Sequence, residues 1–224
     1  MRCAVVAFPL VALAACGGGD GDPGDRRPNS LVSAAARGDV GSVRRLLADG
    51  APVNTRDRNR RTAVTAAALG DHVDVVRVLI EAGADVDLQD AERSNPLLVC
   101  GVTGNVAMVR EVLRAHPDVR LTNRFGGSAL IPASERGHVD MVRALLRTGI
   151  DVDHVNRLGW TALLEAVILG DGGPAHRQIV QLLVDAGADL GLADRDGITA
   201  LDHARERGYD EIARTLEAAG ASAS

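Results

Sequence analysis

The chain repeats one pattern at a nearly fixed spacing, and this periodicity constrains its fold more than any single residue does. The clearest copy runs from Thr62 to Asp87 and reads TAVTAAALGDHVDVVRVLIEAGADVD. Successive copies start 33 residues apart, except that the last spacing is 38 residues, and their first positions are Asn29, Thr62, Asn95, Ser128, Thr161 and Thr199. A period of this size predicts a solenoid, in which each unit completes its core by stacking on its neighbours.

Each unit reads as two helices separated by a short turn. In the second unit, Thr62 is placed to cap a first helix whose small residues, Ala63 to Leu69, allow close packing. Gly83 ends a second helix, since glycine readily adopts the positive φ that a helix stop needs. The apolar residues of that second helix recur at helical spacing and predict its buried stripe, namely Val73, Val76, Leu79 and Ile80.

The repeated motifs resemble those of ankyrin repeats. The segments that match the family's T-P-L-H-x-A motif are NPLLVC at Asn95, SALIPA at Ser128, TALLEA at Thr161 and TALDHA at Thr199; GHVDMV follows at Gly137, and GADVD stands at Gly83. The resemblance covers six units over residues 29–221. It implies an all-α ankyrin-repeat solenoid of helix–turn–helix units with β-turn fingers, in which His72 and His138 have structural roles at the Gly-His corner.

Two of the predicted fingers depart from the family pattern. The turn glycine is present at Gly126, Gly159 and Gly197, but Arg60 and Arg93 stand at the equivalent positions of the two earlier turns. A residue with a Cβ disfavours positive φ. We therefore expect these two turns to be strained or differently shaped.

The N-terminus predicts export and lipid attachment. Residues 1–15 combine one arginine with an apolar run that is shorter than the ~20 residues of a membrane-spanning helix, as in a secretory signal. Leu13-Ala14-Ala15 then precedes Cys16, which resembles the bacterial lipobox, whose cysteine is acylated. The alternative is an ordinary signal peptide followed by a chance cysteine. A chain without lysine, rich in alanine, glycine and arginine, fits a bacterial source.

Residues 16–28 are predicted to be the acylated Cys16 and a flexible tether, because glycine, aspartate and proline in GGGDGDPGDRRP cannot form a core. The domain would then lie on the extracytoplasmic side of a membrane, either periplasmic or on the cell surface, and would touch the membrane only through lipid. Cys100 is then the one cysteine of the repeat domain, so no disulfide is expected. It falls at a core alanine position and is read as a small buried residue.

The sequence offers no catalytic site and calls for no cofactor. Its formal net charge is −5 and aromatic residues make up 2% of the chain, which argues against nucleic-acid binding. The six histidines lack the i, i+4 spacing of a helical zinc pair, and no Cys-x-x-Cys occurs. A cation site formed by Glu165, Asp171 and His176 is the alternative that would make this a metal-dependent protein.

The extra five residues of the fifth unit fall at 171–176, between the unit's two helices. Gly172, Gly173 and Pro174 favour a loop there. Two interpretations stand: a tolerated surface insertion, or a protrusion that touches a partner through His176.

In the ankyrin family, partners bind the turn tips and the concave face of the first helices. The residues at the matching positions of this chain are apolar around units four and five and are flanked by arginines. An exposed apolar patch marks a binding site, and an arginine rim favours an acidic partner segment. The alternative is that Leu158 and Trp160 only pack against neighbouring turns. The predicted partner-binding residues are Arg58, Asn59, Arg61, Arg124, Phe125, Arg136, Arg157, Leu158, Trp160, Ile168, Leu169 and His176.

The sequence thus predicts a monomeric, lipid-anchored module that binds a protein partner through a rigid surface. Two alternatives stay open. One is an inhibitor or immunity-type partner of a co-expressed enzyme, and the other is a metal-dependent activity at the 171–176 loop.

Overall fold

The chain forms a stack of helix pairs in the computed structural model, which describes residues 30–222. The odd-numbered helices pack side by side in one layer, the even-numbered helices form the second layer, and each odd helix packs on the even helix that follows it. The twelve α-helices of the described residues are α1 (Leu31–Ala36), α2 (Val40–Ala48), α3 (Ala63–Leu69), α4 (Val73–Glu81), α5 (Pro96–Thr103), α6 (Val106–Arg114), α7 (Leu130–Glu135), α8 (Val139–Leu145), α9 (Ala162–Ile168), α10 (Pro174–Asp185), α11 (Ala200–Glu206) and α12 (Asp210–Ala218).

This arrangement confirms the predicted all-α solenoid of six helix pairs within residues 30–222. A short 3₁₀ turn, Leu146–Thr148, extends α8. None of these helices is both long and apolar enough to cross a membrane.

The two layers bury their residues differently. In α3 every residue from Ala63 to Ala68 is buried, because the odd layer is enclosed by neighbours on several sides. The following helix α4 buries one broad stripe that includes Val76 and Leu79. Of the four residues predicted for this stripe, Val73 and Ile80 are only half-buried against the core. Side chains of this size contribute about 1.5–3 kcal/mol each when fully buried.

Side-chain caps begin most odd helices, as the sequence predicts. Thr62 Oγ1 accepts the N–H of Thr65 at 3.3 Å, and the equivalent Asn95, Thr161 and Thr199 side chains cap α5, α9 and α11. The first unit differs by one residue, since Ser30 caps α1.

The arginines that replace turn glycines adopt the glycine conformation. Arg60 and Arg93 have φ of 59° and 58°, while Gly126 and Gly159 in the later turns have φ of 75° and 90°. The shape of the turn is therefore kept and the two arginines carry the strain, which costs about 1–2 kcal/mol for a residue with a Cβ.

The five inserted residues of the fifth unit lengthen its even-numbered helix, α10. Helix α10 has 12 residues, against 9 in α4, and begins at Pro174, whose fixed φ suits the first turn of a helix. The predicted loop is thus confined to the residues before Pro174, and His176 belongs to the helix.

Candidate protein-binding face

Five fingers project between consecutive units, and each begins with an Asp or Asn whose side-chain oxygen accepts backbone N–H groups of the finger. Asp90 Oδ1 accepts the N–H groups of Glu92 and Ser94 at 2.9 and 2.8 Å, and Asn123 Oδ1 accepts those of Phe125 and Gly127. The side-chain oxygen thus imitates a backbone turn. We name the fingers by their residues: finger 1 (57–61), finger 2 (90–94), finger 3 (123–127), finger 4 (156–160) and finger 5 (194–198).

Backbone hydrogen bonds link finger 1 to finger 2 and finger 3 to finger 4. The N–H of Ala91 donates to the carbonyl of Asn59 at 2.9 Å, and the N–H of Arg157 donates to the carbonyl of Phe125 at 3.0 Å. Arg157 also donates from Nη1 to the carbonyl of Arg124 at 2.8 Å. Side chains make the other two links, because Arg124 pairs with Glu92 between fingers 2 and 3, and Arg195 donates to the carbonyl of Arg157 between fingers 4 and 5. The five fingers therefore form a continuous row.

The arginines of the predicted rim lie on the fingers or, for Arg136, at the end of α7, but acidic residues neutralise part of their charge. Arg61 pairs with Asp57 at 2.8 Å within finger 1, and Arg124 pairs with Glu92 of the preceding finger. Fingers 1, 3 and 4 nevertheless contain more arginine than acidic residues, whereas fingers 2 and 5 contain more acidic residues. Arg58, Arg136 and Arg157 are exposed. The positive charge is therefore unevenly distributed along the five fingers.

The residues of the predicted apolar patch differ in how far they are buried. Phe125 is 47% exposed, with the Arg124 guanidinium 4.7 Å from its ring centroid, and Leu169 is 37% exposed. Leu158 and Trp160 are half-buried, and Trp160 packs against the core.

Ile168 is a correction to the sequence interpretation. It is only 9% exposed, because the last turn of α9 is covered by its neighbours, so it cannot contact a partner as predicted.

Exposed apolar side chains extend further than the predicted patch. Leu69 and Val102, in the last turns of α3 and α5, are 44% and 41% exposed, and Val155 is 48% exposed. Val155 was missed by the sequence interpretation. It directly precedes finger 4, where Arg56, Gln89 and Thr122 precede the earlier fingers, so an apolar residue at an otherwise polar repeat position was the available signal.

All the large exposed apolar residues of the described chain lie outside the layer of even helices. They belong to a finger, to the residue before a finger, or to the C-terminal end of an odd helix, and none lies on an even helix. We call this set the apolar face: Leu69, Val102, Phe125, Val155 and Leu169.

A buried carboxyl group lies beneath finger 4. Glu165 of α9 is 4% exposed and accepts a hydrogen bond from Asn156 Nδ2 at 2.8 Å. Burial, together with the negative charge of Glu135, raises the pKa of Glu165 to about 7, although the hydrogen bond from Asn156 opposes this rise.

Comparison with known proteins decides the family. The family model for ankyrin repeats (3 copies) matches residues 9–90, 31–122 and 97–194. The chain belongs to the ankyrin-repeat family. Members of this family are scaffolds for protein–protein interaction and are typically not enzymes.

Solved ankyrin structures superpose closely on this chain. An ankyrin repeat domain from Acinetobacter baumannii AYE is 47% identical, with a TM-score of 0.83, and the match covers 86% of this chain and 98% of that one. The ankyrin repeat protein EF0377 is 37% identical, with a TM-score of 0.81, over 84% of this chain and 96% of that one. The ankyrin domain of Bcl-3, a member of the IkappaB protein family, is 26% identical, with a TM-score of 0.76, over 86% of both chains.

Among curated proteins, the ankyrin repeat protein YahD of Escherichia coli (strain K12) is 54% identical over 57 residues. This match covers 25% of this chain and 28% of YahD, so the chain spans less than a third of that relative.

The histidines of the ankyrin Gly-His corner hold consecutive units together. His72 Nε2 lies 3.1 Å from the carbonyl oxygen of Ala36 at the end of the preceding odd helix, and His138 Nε2 lies 3.1 Å from that of Val102. The structural role predicted for both histidines is confirmed.

His176 performs this structural role in the lengthened fifth unit, which corrects its predicted exposure. It is 7% exposed, its Nε2 lies 2.9 Å from the carbonyl oxygen of Glu135, and its Nδ1 lies 2.7 Å from Asp171 Oδ1. The imidazole is therefore held inside the ankyrin stack, where a partner cannot reach it.

The metal-dependent alternative finds no matching geometry. Over residues 30–222, no group of three His, Cys, Asp or Glu side chains is arranged to hold a metal ion. Glu165 is hydrogen-bonded beneath finger 4, while Asp171 and His176 bond to each other. Cys100 is fully buried, as predicted, and burial raises the pKa of its thiol to about 12, so it is a packing residue.

Proposed function

We propose that this ankyrin-repeat protein binds a protein partner through the apolar face and the adjoining fingers 1, 3 and 4. The observation that carries this proposal is the location of the exposed apolar residues: every large one in residues 30–222 belongs to a finger, to the residue before a finger or to the end of an odd helix, and none to an even helix. Apolar patches of this kind on a folded domain mark interaction sites.

The partner is proposed to present an acidic segment beside an apolar anchor. Phe125 with Arg124, and the exposed Arg157 and Arg136, place aromatic and guanidinium groups on the same surface. These residue types dominate binding energy at protein interfaces. Complementary charge would also speed association and select against basic partners.

The protein is further proposed to act as a monomer held at the extracytoplasmic surface of a bacterial membrane by acyl chains on Cys16. This part rests on the sequence, because residues 1–29 lie outside the described residues. It predicts that Cys16→Ser moves the protein from the membrane fraction to the soluble fraction and abolishes metabolic labelling with a fatty-acid analogue. Unchanged fractionation and labelling would refute the anchor.

Site-specific photo-crosslinking in the native host tests the binding surface. A photoreactive residue at Leu169 should capture a single protein, while the same probe at Ala218, exposed on α12, should not. Equal capture from both positions, or none from Leu169, would refute the assigned face.

Truncation of the exposed residues then measures their contribution to binding. Phe125→Ala and Leu169→Ala should each weaken binding of the captured partner at least about tenfold, because both side chains are exposed before binding and buried after it. Both variants should keep the wild-type melting temperature. Arg136→Ala should also weaken binding, whereas Arg147→Ala, an exposed arginine beside the outer helix α8, should not.

A further inference from the structure

Glu165 places a carboxyl group where the three preceding units have apolar residues. It is the fourth residue after the helix cap Thr161, and the same repeat position is occupied by Ala66, Val99 and Pro132, all buried. A buried carboxylate is costly unless a cation or several donors compensate it. Packing alone therefore does not explain a carboxyl group at this position.

One amide connects this carboxyl group to finger 4. Asn156 Nδ2 donates to Glu165 Oε1 at 2.8 Å, and Asn156 Oδ1 accepts the N–H groups of Leu158 and Trp160 at 2.9 and 3.1 Å. Because Oδ1 is occupied by two donors, the amide nitrogen must face Glu165. The state of Glu165 is thus coupled directly to the turn that carries Leu158 and Trp160.

Finger 5 has the same connection with a different charge balance. There His203 Nε2 lies 2.7 Å from Asp194 Oδ2, at the repeat positions of Glu165 and Asn156. A histidine can compensate the aspartate when it is protonated. A neutral amide offers Glu165 no such compensation, so only a proton can remove its charge.

The charged groups around α9 are directed elsewhere, with one exception. His176 of α10 bonds to the Glu135 carbonyl and Asp171, His203 of α11 bonds to Asp194, and Arg157 of finger 4 bonds to a carbonyl. The exception is the side chain of Glu135 on α7, whose negative charge disfavours ionisation of Glu165. The other charged groups on the helices packed against α9 are Arg177, Asp185, Asp202, Arg205 and Glu206. Asp185 accepts a hydrogen bond from Gln181, Asp202 caps α11 at Thr199, Arg205 pairs with Glu217, and Glu206 is exposed.

We propose that Glu165 is a proton-controlled switch of finger 4: the neutral carboxyl group holds Asn156 and the turn in place, and its ionisation releases them. When the carboxyl group ionises, a second negative charge appears beside Glu135 in a buried site, and the side chain gains hydration by moving outwards. The bond from Asn156 Nδ2 favours the ionised form, but it affects the pKa of Glu165 less than burial does, so the outward movement breaks this bond. The finger then loses its attachment to α9, and Leu158 and Trp160 change position.

The switch would regulate the binding face, and only this last step rests on the proposed function. Finger 4 lies between Val155 and the end of α9, both part of the apolar face or adjacent to it. Partner binding would therefore be strongest below pH 7 and would weaken as the pH rises through 7. The conformational step itself requires no partner and can be tested alone.

Tryptophan fluorescence of the full chain tests the switch, because Trp160 is the only tryptophan among the 224 residues. Between pH 5 and pH 9 the emission of the wild-type protein should change reversibly, with a midpoint within about one pH unit of 7. Glu165→Gln should show no such transition. Glu165→Val, which installs the residue found at Val99, serves as a second variant if the glutamine variant folds poorly.

A matched control separates the effect of Glu165 from general charge effects, while the Glu165 variants themselves separate it from histidine titration. Glu206→Gln changes an exposed glutamate at the end of the neighbouring α11 and should leave the transition intact. A flat wild-type profile, or a transition that persists in both Glu165 variants, would overturn the proposal. Because the signal comes from Trp160 itself, either result leaves the proposed binding function untouched, and failure to capture a partner leaves the switch untouched.

Discussion

Removing the buried charge of Glu165 should change how the stability of the protein depends on pH. The pKa of Glu165 is about 7 in the folded protein and has its ordinary value of 4.5 in the unfolded chain. The folded state thus holds the proton more tightly. The stability from this proton is fully present below pH 4.5 and is lost progressively as the pH rises through 7.

The size of this effect follows from the same two values. A tenfold change in proton affinity is worth about 1.4 kcal/mol, so the free energy of unfolding of the wild-type protein should fall by about 3 kcal/mol between pH 4.5 and pH 8 through this group. In Glu165→Gln this contribution disappears, while the amide oxygen can still accept the hydrogen bond from Asn156.

Urea unfolding followed by circular dichroism, repeated from pH 4.5 to pH 8.5, measures the difference between the two proteins. The Gln variant should be within about 1 kcal/mol of the wild type at pH 4.5 and more stable by about 2–3 kcal/mol at pH 8.5. Parallel curves across this range, or a variant that is less stable at pH 8.5, would refute the assignment of a buried, uncompensated carboxyl group.

Five further substitutions test other features of the stack by thermal or urea unfolding. Asn95→Thr should raise stability by about 1–3 kcal/mol, because the buried Asn95 Nδ2 has no hydrogen-bond partner within the described residues and three other units have threonine there; no gain would mean that this nitrogen is satisfied in solution. Arg60→Gly and Arg93→Gly should each raise stability, by up to about 1 kcal/mol, since both arginines adopt positive φ; a loss in both would contradict the strain argument. His138→Ala should lower stability by about 1–2 kcal/mol through the lost bond to the preceding odd helix, and an unchanged midpoint would remove that role. Gly101→Ala should be destabilising, because a Cβ there would lie 2.4 Å from a backbone oxygen of α7's N-cap, Ala129, and a neutral result would show that α5 and α7 separate easily.

The helix caps show which local features the repeat pattern predicts and which it does not. The repeated motif was enough to predict the helices that begin after Thr62, Asn95, Thr161 and Thr199, since a polar cap followed by small residues is a local signal. The prediction failed for α7, which starts at Leu130 without a side-chain cap, and the Ser128 hydroxyl has no hydrogen-bond partner among the described residues. The repeat spacing alone does not show such a local shift.

The candidate site was only partly readable from the sequence. Exposure of Phe125 and Leu169 agrees with the prediction, because finger tips and helix ends have few neighbours in any repeat of this kind. Ile168 and His176 were misplaced because their burial depends on contacts with the adjoining units. Residue type and spacing within one unit do not determine how closely the neighbouring unit approaches.

The sequence by itself determined the family, the number of helix pairs in residues 30–222, the fingers and the helix caps, because these depend on residues close together in the chain and on a repeated spacing. The tertiary structure alone decided which apolar residues are exposed, that His176 bonds to Glu135, and that Asn156 connects Glu165 to finger 4. The physical reason is that burial, pKa and hydrogen bonding between units depend on distances across the stack. Those distances exist only after the neighbouring units have packed.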